Sequence, residues 1–387
     1  MWTFTSPEIV FGEGALSTLD DLHGNRALIV TDRKLVELGL IEAVTRHLEQ
    51  AGIAYGIFDE VEPDPSLRTV RAGADVALRL EPDWIVGLGG GSPMDAAKAI
   101  WILYERPDVN PAAINPVAAL GLRKKARLLT IPTTSGTGAE VTWAIVLTDT
   151  EAQRKLSLGN REVTADLAVV DPEMTVGMPP QLTADTGMDA LTHAVEGYTC
   201  TWHTDMTDGI CQQAVRLVVE SLPRAYTNGD DREARERMQN AATLAGLGFG
   251  NALASMAHAM GHTLGAIFHI PHGRAVGLML PYTIEFIGAE HPERFAHLAE
   301  MLGWEAGDPH ASARNLADHL RAFNADLEQP TTVDNLGISQ QDYRMHLEKL
   351  VDDAFNDASM MAAARAPSYK ELQALFMRAY SGEPVDG

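Results

Sequence analysis

Short apolar, β-branched runs alternate with amphipathic stretches through the first half of the chain. ALIVTD (27–32) reads as a strand, and LVELGLIEAVTRHLEQAG (35–52) after it carries a helical period. AYGIFDEV (54–61) and LRTVRAGADVALRLEP (67–82) repeat the alternation, as do WIVGLGGGS (84–92) and DAAKAIWILYE (95–105). RLLTIPTT (127–134), AIVLTD (144–149) and LAVVDP (167–172) read as further strands of the same sheet. Strand–helix alternation of this kind predicts a parallel sheet with helices on both faces. Past GMPPQLT (177–183) the period becomes helical throughout: ADTGMDALTHAVEGYT (184–199), GICQQAVRLVVESLPRAY (209–226), ERMQNAATLAGLGFGNALASMAHAMGHTLG (236–265) and on to the C-terminus. Pro179-Pro180 marks the change. The expected architecture is an α/β dinucleotide-binding domain over 1–179, followed by an all-α domain over 180–387.

Composition narrows the function. A chain of 387 residues is long for one core and fits two domains. A net charge of −23 would be repelled by nucleic acid and by anionic membranes, so neither is expected as a partner. Two cysteines, Cys200 and Cys211, make no disulfide framework and suggest reduced thiols in the cytoplasm. The N-terminus lacks the basic and apolar regions of a signal peptide, and no apolar run is long enough to span a membrane.

WIVGLGGGSPMDAAKA combines a strand, a glycine turn and a helix start. Gly89, Gly90 and Gly91 allow close backbone approach, Ser92 suits an N-cap, and Pro93 suits the first helical turn. Free N–H groups at such a start bind anions, and a pyrophosphate is the natural occupant. A plain strand-to-helix turn would look similar, and the spacing is not G-x-G-x-x-G. TIPTTSGTGAEVT (130–142) adds hydroxyls and glycines at the end of a neighbouring strand. Asp32 closes the first strand. It is either a helix N-cap or an acceptor for a ribose 2′-hydroxyl, which would favour NAD over NADP.

The stretch HAMGHTLGAIFHIPH (258–272) holds four of the 13 histidines. His258 and His262 are spaced i, i+4, as are Asp189 and His193 in DALTH, and each pair shares one helix face. His272 follows beyond a turn. One carboxylate with imidazoles suits Fe(II), Zn(II) or another borderline divalent ion. The spacing alone leaves open which four of the five bind it.

GGGSPMDAAKA, IPTTSGTGAEVT, TGMDALTHAVEGY and HAMGHTLGAIFHIPHG together resemble the iron-containing (group III) alcohol dehydrogenases. Within that family the chain resembles lactaldehyde reductase, 1,3-propanediol dehydrogenase and butanol dehydrogenase. The resemblance implies a dehydroquinate synthase-like fold: an NAD-binding α/β domain, then a helical metal-binding domain. It implies ligands at Asp189, His193, His258 and His272, with His262 beside the metal as a catalytic residue and His269 without a ligand role. It also implies that Gly90, Gly91 and Ser92 hold the pyrophosphate with Asp95 nearby. Thr133, Thr134 and Thr137 would line the cofactor path, and Lys155 would reach a ribose. The implied reaction is hydride transfer between NAD(H) and a small primary alcohol, diol or aldehyde, with Fe(II) or another divalent ion as Lewis acid, in a homodimer. A metal-independent reductase of the maleylacetate type, a hydroxyacid–oxoacid transhydrogenase and a non-enzymatic nucleotide-binding protein are competing readings. Asp64 in EPDPS, the segment TCTWHTDMTDG with Trp202 and His203, and AAARAPSY near the C-terminus depart from the family pattern and leave the substrate open.

Overall fold

The computed structural model describes residues 3–151 and 154–385. Contacts divide the chain into two compact units, Met1–Val176 and Gly177–Gly387. The first unit contains β1 (Glu8–Phe11), β2 (Arg26–Val30), α1 (Arg33–Glu37), α2 (Leu40–Gln50), β3 (Ala54–Phe58) and α3 (Leu67–Leu80). It continues through β4 (Trp84–Gly89), α4 (Gly91–Glu105), β5 (Arg127–Pro132), β6 (Ala144–Asp149), β7 (Arg154–Gly159) and β8 (Leu167–Val170). Six strands form a wholly parallel sheet in the order β1-β8-β5-β4-β2-β3. Both faces are covered. Ala27 and Ile29 of β2 enter one apolar cluster, while Leu28 and Val30 enter the other. Alternate side chains point to opposite faces, so an unbroken apolar strand is what a doubly covered sheet requires.

The chain leaves β2 toward β3 on one side and returns to β4 on the other. The strand order therefore reverses between β2 and β4, and α/β sheets bind ligands at the carboxyl ends of strands flanking such a reversal. Asp32 lies just past β2, and Gly89–Gly91 run from the end of β4 into the start of α4.

Three local expectations in this unit need correction. AIVLTD is β6, which pairs antiparallel with β7 in a separate hairpin instead of joining the main sheet. No crossover helix precedes it, and only an antiparallel pair can be closed by a short turn. One edge of the sheet is instead β1, paired in register with β8, and the other is β3. The stretch 35–52 is two helices, because Gly39 adopts φ 75° between α1 and α2. Ser92 is not the N-cap of α4. Gly90 takes that place in an extended conformation, and Ser92 lies within the first turn.

The second unit is helical: α5 (Pro180–Thr199), α6 (Asp205–Thr227), α7 (Arg232–Asn251), α8 (Met256–Phe268) and α9 (His272–Gly288). Beyond them follow α10 (Glu293–Leu302), α11 (Pro309–Asp326), α12 (Gln340–Phe355) and α13 (Tyr369–Ser381). One continuous core, including Met188, Val218, Met260, Leu280 and Phe376, runs through it. The long pattern over 236–265, read as one helical stretch, is α7 and α8 with a break between them. The reason is a carboxylate: Glu196 accepts from the backbone N–H of Ser255 and of Ala257, satisfying the start of a new helix.

Candidate metal centre and dinucleotide cradle

Three helices of the second unit bring four ligand-type side chains together. Asp189 and His193 lie one turn apart on α5, His258 sits in the first turn of α8, and His272 opens α9. One donor atom from each lies within 4.8 Å of all the others. Asp189 Oδ1 is 3.2 Å from His272 Nε2, 3.6 Å from His193 Nδ1 and 3.8 Å from His258 Nε2. Asp189 Oδ1, His193 Nδ1 and His258 Nε2 are sealed from solvent, yet none has a well-directed hydrogen-bond partner. A buried polar atom left unpaired costs about 1–3 kcal/mol. Three such atoms aimed at one point fit a divalent cation, which would satisfy them together. The donor set of three imidazoles and one carboxylate suits iron or zinc.

The electrostatics agree. Burial, only partly opposed by Asp189, drives His193 down to about 3, leaving a neutral imidazole with a free lone pair. Burial works against charge on His258 too, but Glu196 and Asp189 outweigh it and push it up to about 9. For Asp189, burial is outweighed by His193, His272 and His258, which hold its carboxyl well below the usual range. The two carboxylates thus favour positive charge at His258, while burial keeps His193 neutral.

Glu196 was assigned no role from sequence. Its buried carboxylate lies 2.6 Å from His258 Nδ1 and fixes that ring with Nε2 toward the centre. The signal was present: Asp189, His193 and Glu196 occupy i, i+4 and i+7 of one helix face. Phe249 stacks on His193 at 3.9 Å. His262 stands outside the four-donor group. Its Nδ1 is 2.9 Å from Asp357 Oδ2, and its ring centre is 5.8 Å from His258 and 5.3 Å from His272. Asp357 also escaped the sequence reading, since nothing in the local pattern links it to a residue 95 positions away. His269 is an exposed C-cap in the left-handed region.

In the first unit, Gly89 adopts φ 148°, and a Cβ there would meet Pro93 at 2.6 Å. A Cβ on Gly90 would lie 3.3 Å from Thr134 Oγ1, and one on Gly91 would lie 3.1 Å from Thr137 Cγ2. Thr133 N–H donates to the Gly89 carbonyl, tying the two loops together. Bare backbone at the start of α4 faces threonine side chains, and free N–H groups at a helix start are able to hold an anion. The side chains expected around it have protein partners. Asp32 accepts from Leu35 N–H at 3.0 Å as the N-cap of α1. Asp95 faces the fully buried Lys98 and accepts from Val146 N–H at 2.9 Å. Lys155 Nζ lies 2.9 Å from Asp64 Oδ1, and Asp64 N–H donates to Ser92 Oγ at 3.2 Å. Among the residues that depart from the family pattern, Trp202 is half exposed and His203 pairs with Asp208. Arg365 is held by the Phe286 carbonyl, Glu290 and Glu371.

No helix of the described residues is long and apolar enough to cross a membrane. Comparison with known proteins places both units in one family. The profile described as "Iron-containing alcohol dehydrogenase" matches residues 6–172, and "Fe-containing alcohol dehydrogenase family, C-terminal" matches residues 183–380. The chain is 40% identical to the NADPH-dependent butanol dehydrogenase of Clostridium saccharobutylicum across the whole of both chains. It is 34% identical to the NAD-dependent methanol dehydrogenase of Bacillus methanolicus, over 97% of this chain and 99% of that one. Its fold matches a crystal structure of 1,3-propanediol oxidoreductase with a TM-score of 0.93 and 33% identity, covering 98% of this chain and 100% of the other. With both units matched by the family's profiles and relatives above 30% identity matched along nearly their whole length, the chain belongs to the iron-containing alcohol dehydrogenase family.

Proposed function

We propose that the protein interconverts small primary alcohols or diols and their aldehydes, using NAD(H) and one divalent ion, Fe(II) or Zn(II). The observation that carries this reading is the group of four donor atoms within 4.8 Å, three of them buried and unpaired. Asp189, His193, His258 and His272 would hold the ion. When bound, it supplies Lewis acidity to the substrate oxygen, while the nicotinamide takes or gives the hydride.

The chain's own residues do the rest. Glu196 keeps His258 in the tautomer that presents Nε2. Asp357 holds Nδ1 of His262, which leaves Nε2 as the atom that can pass a proton to or from the substrate oxygen. Gly90, Gly91 and Ser92, with Thr133, Thr134 and Thr137, bind the pyrophosphate and its neighbouring riboses. Lys155 serves the same ligand by leaving Asp64, and Asp95 stiffens the helix start through Lys98.

Asp32 is assigned to the adenosine ribose, which favours NAD(H), while its role as the α1 cap is compatible with either cofactor. The butanol dehydrogenase relative is named for NADPH, so side-by-side kinetics with both cofactors form part of the test. We also assign a cytoplasmic homodimer, with β1 at the subunit contact because one of its edges is unpaired in the sheet. The deciding experiment follows NADH consumption with propanal and lactaldehyde on chelator-stripped protein, before and after anaerobic addition of Fe(II) or Zn(II). Activity that vanishes on stripping and returns with one ion supports the reading. Activity indifferent to the ion moves the protein to a metal-independent reductase.

A further inference from the structure

The four proposed ligands are not supported alike. His258 has Glu196 behind it at 2.6 Å, and His193 lies flat on Phe249. His272 has no carboxylate behind its far ring nitrogen among the described residues; its side chain is 38% exposed, and its ring stacks at 5.3 Å on His262, which is outside the donor set. It is also the first residue of α9, so its position depends on how that helix end is seated.

Two residues further on, Arg274 makes a two-pronged pair with Asp185. Nε lies 3.0 Å from Oδ1, and Nη2 lies 3.0 Å from Oδ2. Asp185 is buried on α5, one turn before Asp189, and also accepts from Gln181 Nε2 at 3.3 Å. Between His272 and Arg274, Gly273 rests directly on the α5 backbone. A Cβ there would fall 2.0 Å from the Asp185 carbonyl oxygen and 3.0 Å from Asp189 Cβ.

We propose that Asp185 and Arg274 form a positioning pair that seats His272 against Asp189 and so keeps the ion in the centre. The inference rests on the four-residue ligand set above. A bidentate guanidinium–carboxylate pair fixes both distance and orientation. Here it joins the two helices that carry the two facing ligands, within one turn of each. It does for His272, through the backbone, what Glu196 does for His258 through a ring nitrogen.

The position also allows a sign test. If the pair acted only through charge, removing Arg274 would leave an unbalanced carboxylate near the ion and slow its release. If it positions His272, removing Arg274 speeds release. The experiment loads the full-length enzyme with one equivalent of Zn(II) or Co(II) and follows transfer of the ion to a competing chelator. The cobalt d–d spectrum reports the ligand geometry directly. Arg274→Ala should release the ion about tenfold faster or more, the size typical of lost outer support, with an altered cobalt spectrum. Arg274→Lys, which keeps the charge but not the fork, should fall between Arg274→Ala and wild type. If Arg274→Ala does not fold, Arg274→Gln, which removes the charge but keeps most of the side chain's length, carries the same comparison.

A pair that merely tied two helices would lower the melting temperature of the metal-free protein and leave release and spectrum unchanged. That result, or slower release from Arg274→Ala, would overturn the inference. Wild-type protein that takes up no ion overturns the ligand set, and the pair with it. Wild type that holds one ion while every variant releases it at the wild-type rate overturns the pair alone.

Discussion

The candidate metal centre and the proposed dinucleotide cradle are built on opposite plans. In the helical unit, side chains converge on a point and three of their atoms are buried without partners. In the α/β unit, bare backbone does the converging, and the polar side chains nearby already have partners: Asp32 with Leu35, Asp95 with Lys98 and Val146, Lys155 with Asp64. One site is defined by what its side chains lack, the other by side chains that are missing altogether. Substitutions should therefore act on them differently. At the first, deleting a functional group does the damage; at the second, adding a carbon does.

The largest effect is expected at Asp189. Asp189→Ala removes the one carboxylate of the donor set and leaves His193 and His258 buried with nothing between them. It should abolish stoichiometric metal binding and lower kcat/KM on the order of 10³-fold, the several kcal/mol a Lewis acid contributes. NADH affinity, read by fluorescence titration, should stay within about twofold, since the cradle's contacts are local to its own unit. A parallel collapse of NADH binding would break the separation between the two sites.

Glu196 comes next. Glu196→Gln keeps the shape but not the charge that holds His258 oriented, and metal affinity should drop about 10–100-fold. Some loss of stability should accompany it, because the same carboxylate starts α8 by accepting from Ser255 and Ala257. Melting curves of the metal-free variant would separate that structural share from the loss in affinity. Unchanged metal affinity would mean that His258 is held by packing alone.

The same contrast explains what could be read from the chain. Asp189, His193, His258 and His272 were legible because helical spacing puts ligand-type residues on one face, and the pattern survives without knowledge of the fold. Glu196 sat on that face too. It was passed over because a buried carboxylate behind a ligand looks, in sequence, like any helix glutamate. Asp357 and the Asp185–Arg274 pair were not legible at all, since they depend on contacts between residues 89 and 95 positions apart. In the α/β unit the glycines marked a turn where the backbone leaves little room for a Cβ. Asp32 takes the N-cap place that its position at a strand end allowed, whereas the partners of Asp95 and Lys155, Val146 and Asp64, lie far along the chain and leave no local pattern. The misplacement of AIVLTD has the same root: apolar alternation says strand, but only the missing crossover helix says that it must leave the main sheet.

At the cradle, Gly91→Val should raise the KM for NADH roughly tenfold, because its Cβ would start only 3.1 Å from Thr137 Cγ2 and its methyls would occupy the approach to the helix start. Metal content by elemental analysis should match wild type. Loss of metal in this variant would show that the two units depend on each other more than their separate construction suggests.

The smallest effect, and the one that most sharpens the comparison, is at Asp32. Its carboxylate caps α1 through Leu35 N–H, so it has a structural use whatever the cofactor. Glycine is nearly as good an N-cap, and Asp32→Gly should cost only about a few tenths of a kcal/mol in stability. If the carboxylate also repels a 2′-phosphate, the same change should improve kcat/KM for NADPH about tenfold while weakening NADH use. If the cofactor ratio stays fixed, Asp32 is a cap and nothing more. The preference would then have to come from the backbone of the cradle, which would complete its contrast with a metal centre made of side chains.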